Sequence, residues 1–253
     1  MADPVVNLFL LEFADRHPLS SWPWYGVDGW AGRISACALV VPERLMVPFA
    51  PVDAHARRLG RRIRRHHTPC MMVGPRAACD AIWEEWAPRV HPVRWHDQQL
   101  YAIADPPALP PLPGLRRAVW DEWEALARLG AEMQLEDMDV DPRVRDGERH
   151  DELVQERVRA GRTYVVEQGG QIVYTVNVGT RSQLGSQLGG TYVPPEFRGR
   201  GIATAATAEV TRRLLDRHPR VTLHVNEANR SAVRVYEKVG FLPVAPYRLA
   251  TIA

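Results

Sequence analysis

The residues best suited to chemistry fall in the last quarter of this 253-residue chain. A strand-like run, Gly190-Thr191-Tyr192-Val193-Pro194-Pro195, leads into Arg198-Gly199-Arg200-Gly201-Ile202-Ala203 and then a helical stretch. A glycine-rich turn that opens a helix lets backbone N–H groups come close to a ligand. The unpaired amides and the helix dipole at that point favour a pyrophosphate. On its own, Gly-x-Gly before a helix fits a purely structural turn at least as well. It is not a Walker loop, because no Gly-Lys-Ser/Thr follows. It is not the dinucleotide fingerprint either, because Thr204 stands where a third glycine is required.

A second constellation follows about 25 residues later. A strand over residues 221–225 runs into Asn226, then Asn229-x-x-Ala232-x-x-x-Tyr236-x-x-x-Gly240-Phe241. Asn229 is placed to cap a helix over 229–239, and positions 229, 232, 236 and 240 recur on one face of it. Gly240 is suited to close that helix in a left-handed conformation. Phe241 reads as a core aromatic. Tyr236 is open to the same reading and to a functional one.

Together these segments resemble the GNAT superfamily of acyl-CoA N-acyltransferases. Arg198-Gly199-Arg200-Gly201-Ile202-Ala203, after a strand ending Tyr-Val-x-Pro, is similar to that family's pyrophosphate motif, [Q/R]-x-x-G-x-[G/A]. The Asn229 to Phe241 run is similar to its later motif, with the expected strand, helix and strand between. The similarity covers roughly residues 115–253, and the whole chain resembles bacterial tandem GNAT proteins whose N-terminal half is a diverged copy. The resemblance implies an α/β (α+β) fold with a mixed, splayed β-sheet flanked by helices, and acetyl-CoA as co-substrate with no metal. It implies that the amides of Gly199, Arg200, Gly201, Ile202, Ala203 and Thr204, after Arg198, hold the pyrophosphate. The backbone of Thr191, Tyr192 and Val193 would pair with the pantetheine arm like an added strand. Asn229 would help hold the cofactor, and the Tyr236 phenol would protonate the departing thiolate.

By the same resemblance, a neutral amine attacks the thioester directly and a backbone amide, that of Val193, stabilises the oxyanion. Many relatives carry a glutamate on the strand ending at Val193, but here it reads Ser-Gln-Leu-Gly-Gly-Thr-Tyr, and Gln187 cannot act as a base. The expected proton acceptor is therefore water, or Glu136 or Asp137 from a helical segment on the substrate side. The alternative function is an acyl-CoA-binding sensor without turnover. Tyr236 argues against a sensor, and the missing strand carboxylate argues for one.

Two charge clusters stand outside these motifs. Glu132, Glu136, Asp137, Asp139 and Asp141 crowd a stretch ending at Pro142. They form either a solvated acidic loop or a wall of the acceptor site, which would then select a cation. Arg57, Arg58, Arg61, Arg62 and Arg65 lie around one side of an expected helix that closes with His66-His67. That side is either a solvated face or a surface for an acidic partner. Nucleic-acid binding is disfavoured by a net charge of only +2 and by the lack of a binding motif.

Elements with the right periodicity surround the motifs. In the second half we expect a strand over 115–119 and a helix capped by Asp121. A hairpin of strands 163–167 and 171–178 turns at Gly169-Gly170. Further strands run over 186–193, 221–225 and 241–249, with helices over 201–217 and 229–239. The first half reads as a strand over 5–13, strands 34–41 and 44–47, a helix over 53–65 and a strand over 70–73. A helix over 75–86 and a strand over 93–103 complete it. This order repeats part of the second half, which leaves a degenerate duplication open. In the first half Pro51 removes an amide and Asp53 would repel phosphate where a pyrophosphate turn would stand.

All eight tryptophans fall at or before Trp123, and prolines thicken between 106 and 113. The domains are read as 1–105, a proline-rich linker 106–114, and 115–253. Hydrophobic residues make up 45% and charged residues 25%, ordinary for a globular protein. The three cysteines, Cys37, Cys70 and Cys79, show neither metal nor redox spacing. With no apolar run near the roughly 18 residues of a membrane span and no signal-like start, the expected location is the cytoplasm. The expected partners are acetyl-CoA and an amine acceptor that the sequence does not name, with a homodimer left open.

Overall fold

The computed structural model describes residues 4–16, 22–29, 33–67, 70–87 and 92–252. In chain order the elements are α1 (Leu8–Arg16), β1 (Trp24–Asp28), β2 (Ile34–Val41), β3 (Leu45–Phe49), α2 (Asp53–Ile63), β4 (Met71–Pro75), α3 (Arg76–Trp86) and β5 (Pro92–Ile103). There follow β6 (Leu115–Arg117), α4 (Trp123–Met138), α5 (Pro142–Arg159), β7 (Thr163–Gln168), β8 (Gln171–Ser182) and β9 (Gly185–Tyr192). The last are α6 (Ile202–Leu215), β10 (Val221–Asn226), α7 (Arg230–Val239) and β11 (Leu242–Ile252). The chain divides into two compact units, residues 1–100 with 226–228 and 243–253, and residues 101–225 with 229–242. The C-terminal strand is thus counted with the first unit, and the proline-rich residues 106–114 with the second.

The first unit has strand order β1-β2-β3-β4-β11-β5. β1–β2, β2–β3 and β4–β11 are antiparallel, and β3–β4 is parallel. α2 and α3 bury Ala56, Leu59, Ile63, Ile82 and Trp86 against Met46 and Met72. Leu10 of α1 packs with Leu39 and Val47. Two of the five arginines on the expected face are neutralised within this unit. Arg57 and Arg61 of α2 pair with Glu84 and Glu85 of α3, and Arg62 lies over the Tyr25 ring.

The second unit has strand order β10-β9-β8-β7-β6, antiparallel except β9 with β10. Residues alternate along β7. Val165 joins Leu126, Ala127, Val154 and Val158 of α4 and α5, whereas Tyr164 and Val166 join the cluster holding α6 and α7. Successive strand residues point to opposite faces, so the two helix pairs sandwich the sheet. The proline-rich segment is fastened to α6. Arg212 donates to the Leu109 carbonyl, and the Leu112 amide donates to Glu209.

Several elements differ from the sequence expectation. Residues 5–13 are not a strand but a 3-10 turn, Pro4–Asn7, followed by α1. A short, densely apolar run carries no clear period, and its leucines are good helix formers. β1 and α5 were not anticipated. α5 is so rich in Arg, Asp and Glu that its buried stripe, His150, Val154 and Val158, barely registers as amphipathic. The cap would have revealed it, since Asp141 accepts from the Arg143 amide with Pro142 at the first helical position. Asp121 does not cap α4. A 3-10 turn over Trp120–Glu122 precedes it, and Glu122 reaches back to the Val119 amide at 2.8 Å while holding Arg116. Among the described residues no helix is long and apolar enough to cross a membrane.

Candidate active site

The site begins where β9 and β10 part. They pair in parallel only at Ser186–Val221, Gln187–Thr222 and Leu188–Leu223, although β9 continues to Tyr192 and β10 to Asn226. Two irregularities in the β8–β9 register and a positive φ of 63° at Gly190 bend β9 at this level. A Cβ at Gly190 would stand 2.8 Å from the Asn177 side chain, so glycine is required there. The fork leaves the backbone edge of Thr191 to Val193 without β10 as a partner. Such an edge can take an added strand.

The chain then turns through Pro195–Phe197 and enters α6 across Gly199 and Gly201, both with φ of 76°. An L side chain rarely adopts this conformation. A Cβ at either glycine would meet nothing within 4 Å, so the space beside the turn is open. The first α6 bond runs from Ala205 to the Gly201 carbonyl, so the amides of Ile202, Ala203 and Thr204 precede the helical ladder. The arginine side chains turn away from these amides. Arg200 donates to the Glu196 carbonyl, and Arg198 to the Val193 carbonyl. What the turn offers an anion is backbone. Open space, left-handed glycines and free first-turn amides fit the pyrophosphate of an acyl-CoA, and the fork fits its extended arm.

Asn229 caps α7 as expected. Its Oδ1 accepts from the Ala232 amide at 3.1 Å, and its Nδ2 donates to Asp137 of α4 at 2.9 Å. Gly240 closes the helix at φ 107°. Tyr236 is buried, with its ring edge-on to that of Phe241. Burial raises its pKa above that of an ordinary tyrosine, so the phenol is protonated at neutral pH. Phe241 is a core residue.

Glu136 has two partners. One oxygen accepts from the Tyr192 hydroxyl and the other from Arg198, each at 2.7 Å. Glu136, Tyr192 and Arg198 tie the last turns of α4 to the end of β9 and the start of the glycine turn. Asp137 is engaged by Asn229, and Asp141 by its cap and Arg143, which pulls its pKa down to about 2. The acidic stretch is therefore helix through Met138, broken by a left-handed Asp139, and most of its carboxylates already hold cations or amides. The spacing alone gave no hint of the Glu136–Arg198 pair, which spans 62 positions.

Sequence reasoning also missed two groups around the fork. The Gln187 amide lies 3.1 Å from Nδ1 of His224 on β10, the first β10 residue past the last β9 pair. Burial lowers the His224 pKa to about 4, so this imidazole is neutral near pH 7. The Tyr174 hydroxyl of β8 lies 3.0 Å from that of Thr207 of α6. Nothing in the local spacing of Tyr174 or Thr207 singles them out.

Residues 114–241, just over half the chain, match the acetyltransferase (GNAT) family. An acetyltransferase of Pectobacterium atrosepticum is 39% identical over 80 residues, 30% of this chain and 55% of that relative, so the match spans about half of the relative's length. Among solved structures, a GNAT-family acetyltransferase from Colwellia psychrerythraea superposes with a TM-score of 0.59 at 10% identity, over 100% of this chain and 98% of the other. A GNAT-family protein from Kribbella flavida gives 0.61 at 15% identity, over 98% and 94%. A tandem GNAT protein of the clavulanic acid biosynthesis pathway gives 0.54 at 17% identity, over 100% and 89%. At such identities these structures speak for the fold. With the matched segment holding both the glycine turn and the Asn229 to Phe241 run, this chain is a member of the acetyltransferase (GNAT) family of acyltransferases.

Proposed function

We propose that the chain moves an acetyl group from acetyl-CoA to an amine acceptor by direct attack of the neutral amine, with Tyr236 as general acid. The observation that carries this reading is the fork, whose Thr191 to Val193 edge is left without β10 as a partner and leads into the open glycine turn. A pantetheine arm paired along that edge brings its sulfur end towards the one buried phenol of α7. The amides of Gly199 to Thr204 hold the pyrophosphate, Asn229 keeps the start of α7 against α4, and the Val193 amide faces the oxyanion. The thioester supplies the activated acyl carbon and a thiolate leaving group. A phenol that stays protonated across the neutral range is loaded to give its proton to that thiolate.

Glu136 is one of the groups expected to take the acceptor's proton. Its engagement with Arg198 and Tyr192 supports a positioning role instead, and favours water as the immediate acceptor. The same engagement, with Gln187 in place of a strand carboxylate, is what favours the second reading, an acyl-CoA sensor. Free-thiol release from acetyl-CoA across a panel of small amines and peptide N-termini separates the two. We expect turnover with at least one acceptor, and Tyr236→Phe should lower it by at least about tenfold with acetyl-CoA affinity little changed. Tight acetyl-CoA binding with no thiol release across the panel would leave the sensor reading standing.

A further inference from the structure

We infer that Arg198, braced by Glu136, fixes the angle between the free edge of β9 and the glycine turn, and so sets acetyl-CoA affinity without touching its phosphates. The inference rests on the proposed binding of acyl-CoA along both. The Thr191 to Val193 edge and the amides of Ile202 to Thr204 are two stretches of backbone that one ligand must meet together. The link between them is uneven. Pro194, Pro195 and the 3-10 turn Pro195–Phe197 stiffen its first part, where the Phe197 and Arg198 amides donate to the Pro194 and Pro195 carbonyls. Gly199 and Gly201 loosen its second part. Arg198 stands where the stiff part passes into the loose one.

Its guanidinium joins three places. Nε donates to the Val193 carbonyl at 2.9 Å, Nη2 donates to Glu136 Oε2 at 2.7 Å, and the group lies over the Tyr192 ring, 5.4 Å from its centroid. The other Glu136 oxygen accepts from the Tyr192 hydroxyl at 2.7 Å, so edge, turn and α4 close into one loop of contacts. Arg200 is the contrast. It donates to the Glu196 carbonyl and covers the Phe197 ring, both within the link itself. A half-exposed ion pair adds little to stability. Three contacts on one rigid, planar group instead fix a direction. The Val193 carbonyl keeps a second lone pair for the arm. Glu136 and Arg198 are thus positioning residues, which act on the ligand through the backbone they hold.

Acetyl-CoA is an anion, so removing a carboxylate separates two accounts by sign. If Arg198 were a phosphate ligand held back by Glu136, Glu136→Ala would free the guanidinium, remove a repulsive charge and tighten binding. If the two form a clamp, the same variant loosens it. Calorimetry on the full chain should give an acetyl-CoA Kd weaker by roughly three- to tenfold for Glu136→Ala. Glu136→Gln, which keeps an oxygen for Arg198, should lose less. Arg198→Ala should weaken binding by a similar factor, and adding Glu136→Ala to it should cost less than about twofold more, because Glu136 acts through Arg198. Binding unchanged or tightened in Glu136→Ala overturns the inference, as does a full second loss in the double variant. Should Glu136→Ala not fold, Glu136→Gln carries the same test of sign. No heat from the parent itself would overturn the cofactor reading and this inference with it. A parent that binds, with variants that bind equally, overturns the inference alone.

Discussion

At the residue scale, the turn before α6 presents backbone rather than guanidinium groups, because both its arginines are turned back onto the chain. Its proposed role therefore depends on two glycines more than on two cations. Gly201 combines a φ of 76° with open space beside it. A valine there has room but not the conformation. The left-handed strain amounts to about 1–2 kcal/mol, relieved only by moving the amides that follow. Gly201→Val should therefore melt within several degrees of the parent but give no calorimetric heat with acetyl-CoA at concentrations that saturate the parent. Retained binding would mean that the phosphates are held elsewhere. Removing the Arg200 guanidinium with Arg200→Ala should change affinity by less than about threefold, an exposed charge at this distance being largely screened.

At the element scale, two caps hold the helices that line the site. Asn229 both starts α7 and reaches Asp137 on α4, so Asn229→Ala should cost about 1 kcal/mol or more, read as a lower urea midpoint with an unchanged m-value. Asp141 starts α5 and binds Arg143, which lowers its pKa from 3.8 to about 2. A folded-state pKa below the unfolded one stabilises the fold above pH 3.8 and is lost as the pH falls towards 2. Asp141→Asn should flatten the acid limb of the stability curve across that window and leave the neutral-pH shape unaltered. An acid limb identical to the parent's would place the sensitivity elsewhere. The Glu136–Arg198 pair is half exposed, so Glu136→Gln should change stability by less than about 1 kcal/mol. A larger loss of turnover would then report on the site.

At the scale of the whole molecule, the two units share an order of elements but differ where it matters for a cofactor. In the second unit β9 and β10 part after three pairs. In the first, β3 and β4 pair in parallel only at Leu45–Met71 and Met46–Met72, but a Cβ at Gly74 would stand only 2.9 Å from the Pro48 carbonyl, so no space opens beyond the last pair. α2 of that unit follows Pro51 and begins at Asp53, with no glycine turn and with Arg57 committed to Glu84. Among the described residues the first unit has neither the open space of the fork nor a glycine turn before its helix. Isothermal titration with acetyl-CoA should return a stoichiometry of one per chain. Two equivalent sites would defeat this account.

Local chemistry made much of this protein legible from its sequence. Left-handed glycines, an asparagine cap and alternating apolar residues act within a few positions, so the glycine turn, α7 and most strands could be read directly. The same local logic failed where a segment lacked a clear period, as at α1, or where charge masked the buried stripe, as along α5. Tertiary structure alone decided the fork, because strand separation depends on a bend at Gly190 and on which strand lies beside β9. It alone paired Glu136 with Arg198 and Tyr174 with Thr207. Those residues stand on elements far apart in sequence, and no spacing rule acts over such distances. Their proximity follows from the crossing of helices and strands in the folded sheet.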